Sequence, residues 1–133
     1  MDMSVACPEG YEPNEDILKI ANEYAKENST EITVSSDVNV ALDNVDVVYT
    51  DVWVSMGDEA EKAQREKDLS PYQVNQELMN LANEGAIFMH CLPAVRGQEV
   101  TAEVIDGPQS VIYDEAENRL HAQKAVLYYY LKD

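Results

Sequence analysis

Positive charge is scarce in this 133-residue sequence, which carries 9 Lys and Arg residues against 26 Asp and Glu residues, a formal charge of −17. No segment concentrates cations, so the basic surface that binds nucleic acid or anionic lipid is missing. Long apolar runs are also missing, since none approaches the roughly 20 residues that span a bilayer. The N-terminus lacks the charged and apolar regions of a signal peptide. We therefore expect no nucleic-acid or membrane partner and a cytoplasmic location.

Cysteine, histidine and glycine are equally sparse. Cys7 and Cys91 could form at most one disulfide and belong to no C-x-x-C motif, so we expect reduced thiols. These cysteines, together with His90 and His121, have no zinc-site spacing, and the acidic segments lack the EF-hand pattern. The five glycines never cluster into a phosphate-binding loop. We therefore expect no structural metal and no nucleotide bound through a glycine-rich loop.

Strand and helix patterns alternate along the chain. The predicted strands are 3–7, 31–35, 45–49, 86–89 and 110–113; the predicted helices begin at Asn14, Asp37, Ser70, and Asp114 or Glu115. Ser70, Pro71 and Gln73 form a capping signal for a helix that Gly85 ends. The charged segment 58–68 is predicted to be a solvated helix or a mobile loop. The pattern indicates an α/β fold with a mostly parallel sheet and helices on both faces, whose ligands bind beyond the carboxyl ends of the strands.

Polar residues follow the strands at that edge. Asp51 comes after the strand 45–49, and Ser55 and Gly57 follow shortly after it. A carboxylate, a hydroxyl and exposed backbone amides could hold the ammonium and carboxylate of an amino acid. A helix-capping Asp followed by a glycine turn explains the same residues, so both interpretations stay open.

The segment His90-Cys91-Leu92-Pro93 follows the strand 86–89. A catalytic thiol is one interpretation. A buried cysteine beside a histidine with satisfied hydrogen bonds is the other, because neighbouring side chains on a strand point apart and no G-x-S-x-G elbow is present.

The last helix contains one cation that could serve a ligand. Arg119 could grip a carbonyl or phosphate with two hydrogen bonds, or it could form an i,i+4 salt bridge with Glu115. The acids that open this helix have a sufficient explanation in the helix dipole. The run Tyr128-Tyr129-Tyr130 is typical of a packing surface.

Together, the segments 50–57, 90–93 and 114–119 closely resemble the ornithine-binding half of the ornithine carbamoyltransferases, in order and spacing. The resemblance covers residues 1–133 and implies a three-layer, Rossmann-like fold. It also implies carbamoyl transfer from carbamoyl phosphate to the δ-amine of L-ornithine, giving citrulline and phosphate without a metal or cofactor. The segment Ser55-Met56-Gly57 favours plain ornithine over putrescine or acylated ornithines.

The resemblance assigns roles to individual residues. Asp51 would hold the α-ammonium of ornithine and orient the attacking amine, and Ser55 with the Met56 backbone would complete the amino-acid site. Cys91 would lie beside the δ-amine and, with Asp51, deliver it unprotonated. Cys91, Leu92 and Arg119 would contact the carbamoyl group of carbamoyl phosphate.

Two parts of the family pattern have no counterpart in this sequence. One is the carbamoyl-phosphate domain with its Ser-Thr-Arg-Thr loop, so we expect the chain alone to be inactive and to need a complementary domain. The other is the first βα unit of the ornithine half, so we expect a gap in the middle of the sheet. Open strands and uncovered helices are costly. We therefore expect self-association into a homo-oligomer that buries Leu127 and the segment from Tyr128 to Leu131. A non-enzymatic amino-acid-binding module is the alternative function.

Overall fold

The computed structural model of the chain describes residues 1–54 and 59–132. Parallel strands alternate with helices, as an α/β fold requires. The strands are β1 (Met3–Ala6), β2 (Ile32–Ser35), β3 (Val47–Thr50) and β4 (Ile87–His90). The helices are α1 (Glu15–Glu27), α2 (Val38–Leu42), α3 (Lys62–Leu69), α4 (Gln76–Met79), α5 (Ala102–Ile105) and α6 (Ile112–Leu131), with 3₁₀ turns at Glu59–Glu61 and Ser70–Tyr72.

The first two helices begin where their capping residues predict. The Asn14 side chain accepts hydrogen bonds from the Asp16 and Ile17 amides, at 3.0 and 3.3 Å, and α1 follows. Asp37 accepts from the Asn39 amide at 2.9 Å, and α2 follows. Side-chain acceptors thus satisfy amides that the first turn leaves without partners. In the charged segment, α3 has no buried residue, so residues 62–69 form the solvated helix rather than the loop.

The long helix predicted from Ser70 to Gly85 is wrong. The Ser70 hydroxyl donates backwards to the Lys67 carbonyl at 2.9 Å instead of capping a helix. Val74 then forms a parallel bridge with Val100, in which the Val74 amide donates to the Glu99 carbonyl at 2.9 Å. This long-range pairing holds Val74 extended, and only the short helix α4 follows.

The strand predicted at 110–113 is also wrong. Ser110 forms a single bridge with Phe88, through a Phe88 amide bond to Gln109 and a Val111 amide bond to Phe88, at 2.8 and 3.0 Å. Helix α6 then begins at Ile112, before the predicted start at Asp114 or Glu115. The pairing therefore stops after one bridge.

The four strands form two parallel pairs. β1 pairs with β2 and β3 pairs with β4, and no ladder joins the two pairs within residues 1–54 and 59–132. This agrees with the expected interruption of the sheet. In the second pair, Thr50 lies opposite His90. The residues that follow them, Asp51 and Cys91, therefore leave the same edge side by side.

The core is concentrated around the second pair of strands. Its buried residues come from β3, α4, β4, α5 and the segments beside them: Val48, Val74, Met79, Phe88, Val100, Val104, Ile105 and Ile112. Among described residues before position 45, only Cys7, Ala25 and Ala41 are buried apolar residues. The packing that supports residues 45–112 is therefore much denser than the packing around β1 and β2.

Helix α6 leaves the core along its length. Ile112 is its only buried residue among those described, while Leu127 and Tyr128 to Leu131 are 58–77% exposed. None of the described helices has the length and apolar character to cross a bilayer. The predicted burial of this C-terminal face in a contact between copies stays a prediction.

Candidate functional site

Asp51 and Cys91 meet at the carboxyl edge of β3 and β4. Ligand atoms of Asp51, His90 and Cys91 lie within 4.8 Å of one another. The Asp51 and Cys91 side chains are exposed, and the carboxylate also accepts the Val52 amide at 2.7 Å. Residues 51–54 are not helical, so Asp51 does not cap a helix there. Beside these contacts, the exposed carboxylate has further lone pairs with which it can accept an ammonium group from solution.

The Cys91 thiol is held in its protonated form. Partial desolvation by neighbouring atoms, then a hydrogen bond to Asp51, raise the pKa of Cys91, although the Tyr49 hydroxyl acts in the opposite direction. A protonated thiol that donates to a carboxylate is a polar contact rather than an activated nucleophile.

His90 is fully buried with both ring nitrogens occupied. Nδ1 accepts the Leu92 amide at 2.9 Å, which leaves Nε2 as the protonated nitrogen. Nε2 donates to Glu99 Oε1 at 3.3 Å, and the same oxygen accepts the Val95 amide at 2.5 Å. The second interpretation of the sequence is therefore half right: His90 has satisfied hydrogen bonds, but Cys91 is exposed rather than buried. With both nitrogens taken, the imidazole offers no lone pair to a metal ion in this arrangement.

Leu92 forms the turn that ends the strand. Its φ angle is +56°, in the left-handed region, and its peptide bond to Pro93 is cis. Its side chain packs against the core, and its amide donates a hydrogen bond to Nδ1 of His90. These contacts compensate for a conformation that is costly for a residue with a Cβ atom.

Glu115 is a site residue that the sequence did not reveal. Its Oε2 accepts the His90 amide at 3.0 Å, and its Oε1 accepts the Tyr49 hydroxyl at 3.2 Å. Partial burial, followed by Cys91 and then Glu115, raises the pKa of Tyr49. The proposed salt bridge between Glu115 and Arg119 does not form, since Glu115 is engaged elsewhere. Arg119 is exposed, and no partner for it occurs among the residues described.

The structure thus assembles part of the predicted set. It brings Asp51 and Cys91 together with Leu92 beside them, and it places Arg119 one helical turn beyond Glu115. Ser55 and Met56 lie outside the described residues. Glu99 and Glu115 were missed because acidic residues in a loop or a first helical turn look the same in sequence whether they face solvent or a neighbouring strand.

Comparisons with known proteins place these features in context. Residues 1–130 match the family model described as "Aspartate/ornithine carbamoyltransferase, Asp/Orn binding domain". The chain is 77% identical over 132 residues to an ornithine carbamoyltransferase of Methanobrevibacter smithii, covering 99% of this chain and 44% of that protein. It is 60% identical over 133 residues to the enzyme of Methanothermobacter thermautotrophicus, covering 100% of this chain and again 44% of the relative.

Solved structures give the same likeness. The anabolic ornithine carbamoyltransferase from Campylobacter jejuni superimposes with a TM-score of 0.91 and 39% identity, covering 96% of this chain and 42% of that one. Ornithine carbamoyltransferase from Pyrococcus furiosus gives a TM-score of 0.89 and 54% identity, covering 96% and 41%. The chain therefore spans less than half the length of the relatives it matches.

Proposed function

The chain belongs to the aspartate/ornithine carbamoyltransferase family, and we propose that it supplies the ornithine-binding half of an ornithine carbamoyltransferase. In the proposed reaction, the neutral δ-amine of L-ornithine attacks the carbonyl carbon of carbamoyl phosphate. The new C–N bond forms as the C–O bond to phosphate breaks, and the amine loses a proton. The products are citrulline and phosphate.

The observation that carries this proposal is the contact between Asp51 and Cys91 at the strand edge. The exposed Asp51 carboxylate would bind the α-ammonium of ornithine by a charge-assisted hydrogen bond. Cys91 would lie beside the δ-amine, where a neutral thiol exerts no charge that favours the protonated amine. Ser55 and the Met56 backbone would complete the amino-acid site.

The carbamoyl group would be held by Cys91, Leu92 and Arg119. The guanidinium of Arg119 is exposed and is not used by a neighbouring acid in the described part of the chain. A positive charge near the carbonyl oxygen would stabilise the negative charge that develops there during attack.

The net charge indicates which of the two substrates this domain would bind. A chain with a charge of −17 attracts cationic ornithine and repels carbamoyl phosphate. The arginines that would offset this repulsion belong to the carbamoyl-phosphate domain in the proposed enzyme, and the chain covers 44% of its relatives. We therefore propose that these 133 residues are inactive unless that domain is supplied. As a separate proposal, we place the protein in the cytoplasm.

A citrulline assay tests the proposal. We expect no turnover by the chain alone and turnover when a carbamoyl-phosphate domain is added. Asp51→Asn should then lower the rate by about 100-fold or more, as loss of a substrate-positioning contact does. The matched control is Asp43→Asn, because Asp43 is an exposed acid beyond α2. Turnover by the chain alone at an enzymatic rate, or full activity of Asp51→Asn, would contradict the proposal.

A second candidate is a non-enzymatic amino-acid-binding module that self-associates. The interrupted sheet and the exposed apolar end of α6 favour this candidate. Calorimetry with L-ornithine tests binding by the chain, with Asp51→Asn as the variant that should lose the heat. Absence of binding heat at millimolar ornithine would exclude the amino-acid-binding module. Sedimentation tests self-association, and a stable monomer at micromolar concentration would contradict it.

A further inference from the structure

The amide of His90 has lost the partner that the sheet would have given it. Phe88 donates to the Gln109 carbonyl and accepts from the Val111 amide, which is the pattern of a parallel ladder. Continued by one step, that ladder would pair the His90 amide with the Val111 carbonyl. The Val111 carbonyl instead accepts the Glu115 amide at 3.0 Å, because α6 has already begun.

The Glu115 side chain replaces the lost partner. The Glu115 amide donates to the Val111 carbonyl, and its side-chain Oε2 accepts the His90 amide at 3.0 Å. Glu115 thus satisfies both the Val111 carbonyl and the His90 amide, which would have bonded to each other if the strand had continued. A hydrogen bond from an amide to a carboxylate is stronger than the neutral bond that it replaces.

The other carboxylate oxygen of Glu115 reaches the neighbouring strand. Oε1 accepts the Tyr49 hydroxyl at 3.2 Å, so one carboxylate joins the last residues of β3 and β4 to the first turns of α6. In the register of this pair, Tyr49 precedes Thr50, which lies opposite His90. Asp51 and Cys91 are the next residues on the two strands.

We propose that Glu115 is a positioning residue for the transfer reaction, which holds the ends of β3 and β4 so that Asp51 and Cys91 stay in contact. This inference rests on the proposed function. Glu115 acts through the His90 amide and the Tyr49 hydroxyl and has no contact with substrate in this role. Because it lies one turn before Arg119, the same carboxylate also fixes the helical turn from which the guanidinium extends.

Titration of the Cys91 thiol tests the positioning role without requiring catalysis. The rate of alkylation by iodoacetamide is measured against pH in a Cys7→Ser background, since Cys7 is the other, buried thiol. In Glu115→Ala, the contact with Asp51 loosens, and the Tyr49 hydroxyl, which already hydrogen-bonds the thiol, no longer shares its proton with Glu115. Both changes lower the pKa of Cys91. We expect alkylation at neutral pH to become at least about threefold faster, with an unchanged plateau at high pH.

Two further variants separate positioning from general damage. Glu115→Gln keeps an oxygen for the His90 amide, but its side-chain NH2 can only donate to Tyr49, so the Tyr49 hydroxyl proton is released as in Glu115→Ala. Its pH profile should therefore lie between the parental profile and that of Glu115→Ala. Glu117→Ala removes an exposed acid from the same helix and should retain the parental profile. A parental profile in Glu115→Ala, or the same shift in Glu115→Gln or Glu117→Ala, would overturn the inference.

The mixed citrulline assay gives the second readout. With a carbamoyl-phosphate domain present, Glu115→Ala should lower kcat at least about tenfold, because small displacements of reacting groups are costly. Glu115→Gln should restore most of that loss. If the parental mixture makes no citrulline, the proposed function fails while the thiol titration still decides whether Glu115 positions Cys91. Normal kcat in Glu115→Ala beside an active parent would overturn the inference alone.

Discussion

Replacing Phe88 with alanine tests where the stability of this chain resides. Phe88 has no exposed surface and lies opposite Val48 in the centre of the core cluster. Removing a fully buried phenylalanine side chain costs about 3–5 kcal/mol, from lost transfer free energy and the cavity left behind. A domain has a total margin of roughly 5–15 kcal/mol. We expect Phe88→Ala to remove a large share of the free energy of unfolding.

The assay is equilibrium unfolding in urea, followed by circular dichroism at a fixed protein concentration, because self-association would shift the midpoint. Val47→Ala is the matched control, since Val47 is on the neighbouring strand but is 46% exposed. It should cost less than about 1 kcal/mol, as surface substitutions usually do. If Phe88→Ala costs no more than Val47→Ala, the core does not lie where the burial pattern places it.

Three further predictions concern exchange, charge and pH. Amides of Met3–Ala6 should exchange with solvent faster than those of Ile87–His90, because few buried side chains cover the first strand pair; equal protection in hydrogen exchange would contradict this. Arg96 donates two hydrogen bonds to the exposed Asp106 carboxylate, at 2.6 and 2.9 Å, and this pair holds the pKa of Asp106 below its ordinary 3.8. The stabilisation that the pair gives to the folded chain should be present above pH 3.8 and should be lost as the pH falls below that value. Unfolding titrations of Asp106→Asn should lack this acid-side loss, and its difference from the parent at neutral pH should shrink in 1 M salt. The pKa of Cys91 is raised, so its effect on stability has the opposite pH dependence. The stabilisation from the protonated thiol should be present below the ordinary pKa of 9.0 and lost as the pH rises above it. Cys91→Ser should therefore lose less stability at alkaline pH than the parent in the same titration.

The features predicted correctly from the sequence depend on local signals. The caps at Asn14 and Asp37 lie within three residues of the amides they satisfy, so they identify α1 and α2 directly. The meeting of Asp51 with Cys91 follows from a general property of parallel sheets, whose strand ends share one edge. Such signals need no knowledge of distant contacts.

The predictions that were wrong depend on distant pairing. Val74 has a helical pattern around it, but its bridge to Val100 holds it extended. Ser110 has the apolar neighbours of a strand, but α6 starts two residues later and ends the ladder. In both cases a long-range hydrogen bond or the start of a helix outweighs the local preference. Intrinsic propensities for helix or strand are worth only about a fraction of a kcal/mol per residue, so they are easily outweighed.

The position of the half-site within the fold bears on how it could work in a divided enzyme. Asp51, Cys91 and Glu115 all belong to the region from residue 45 to the start of α6, which contains the dense core, whereas the interruption of the sheet separates β1 and β2 from it. Local opening is expected first where buried contacts are fewest. The first strand pair could therefore open without disturbing the contact between Asp51 and Cys91. The proposed ornithine recognition and the completion of the sheet are then separable properties, so we expect that a variant can lose one without losing the other.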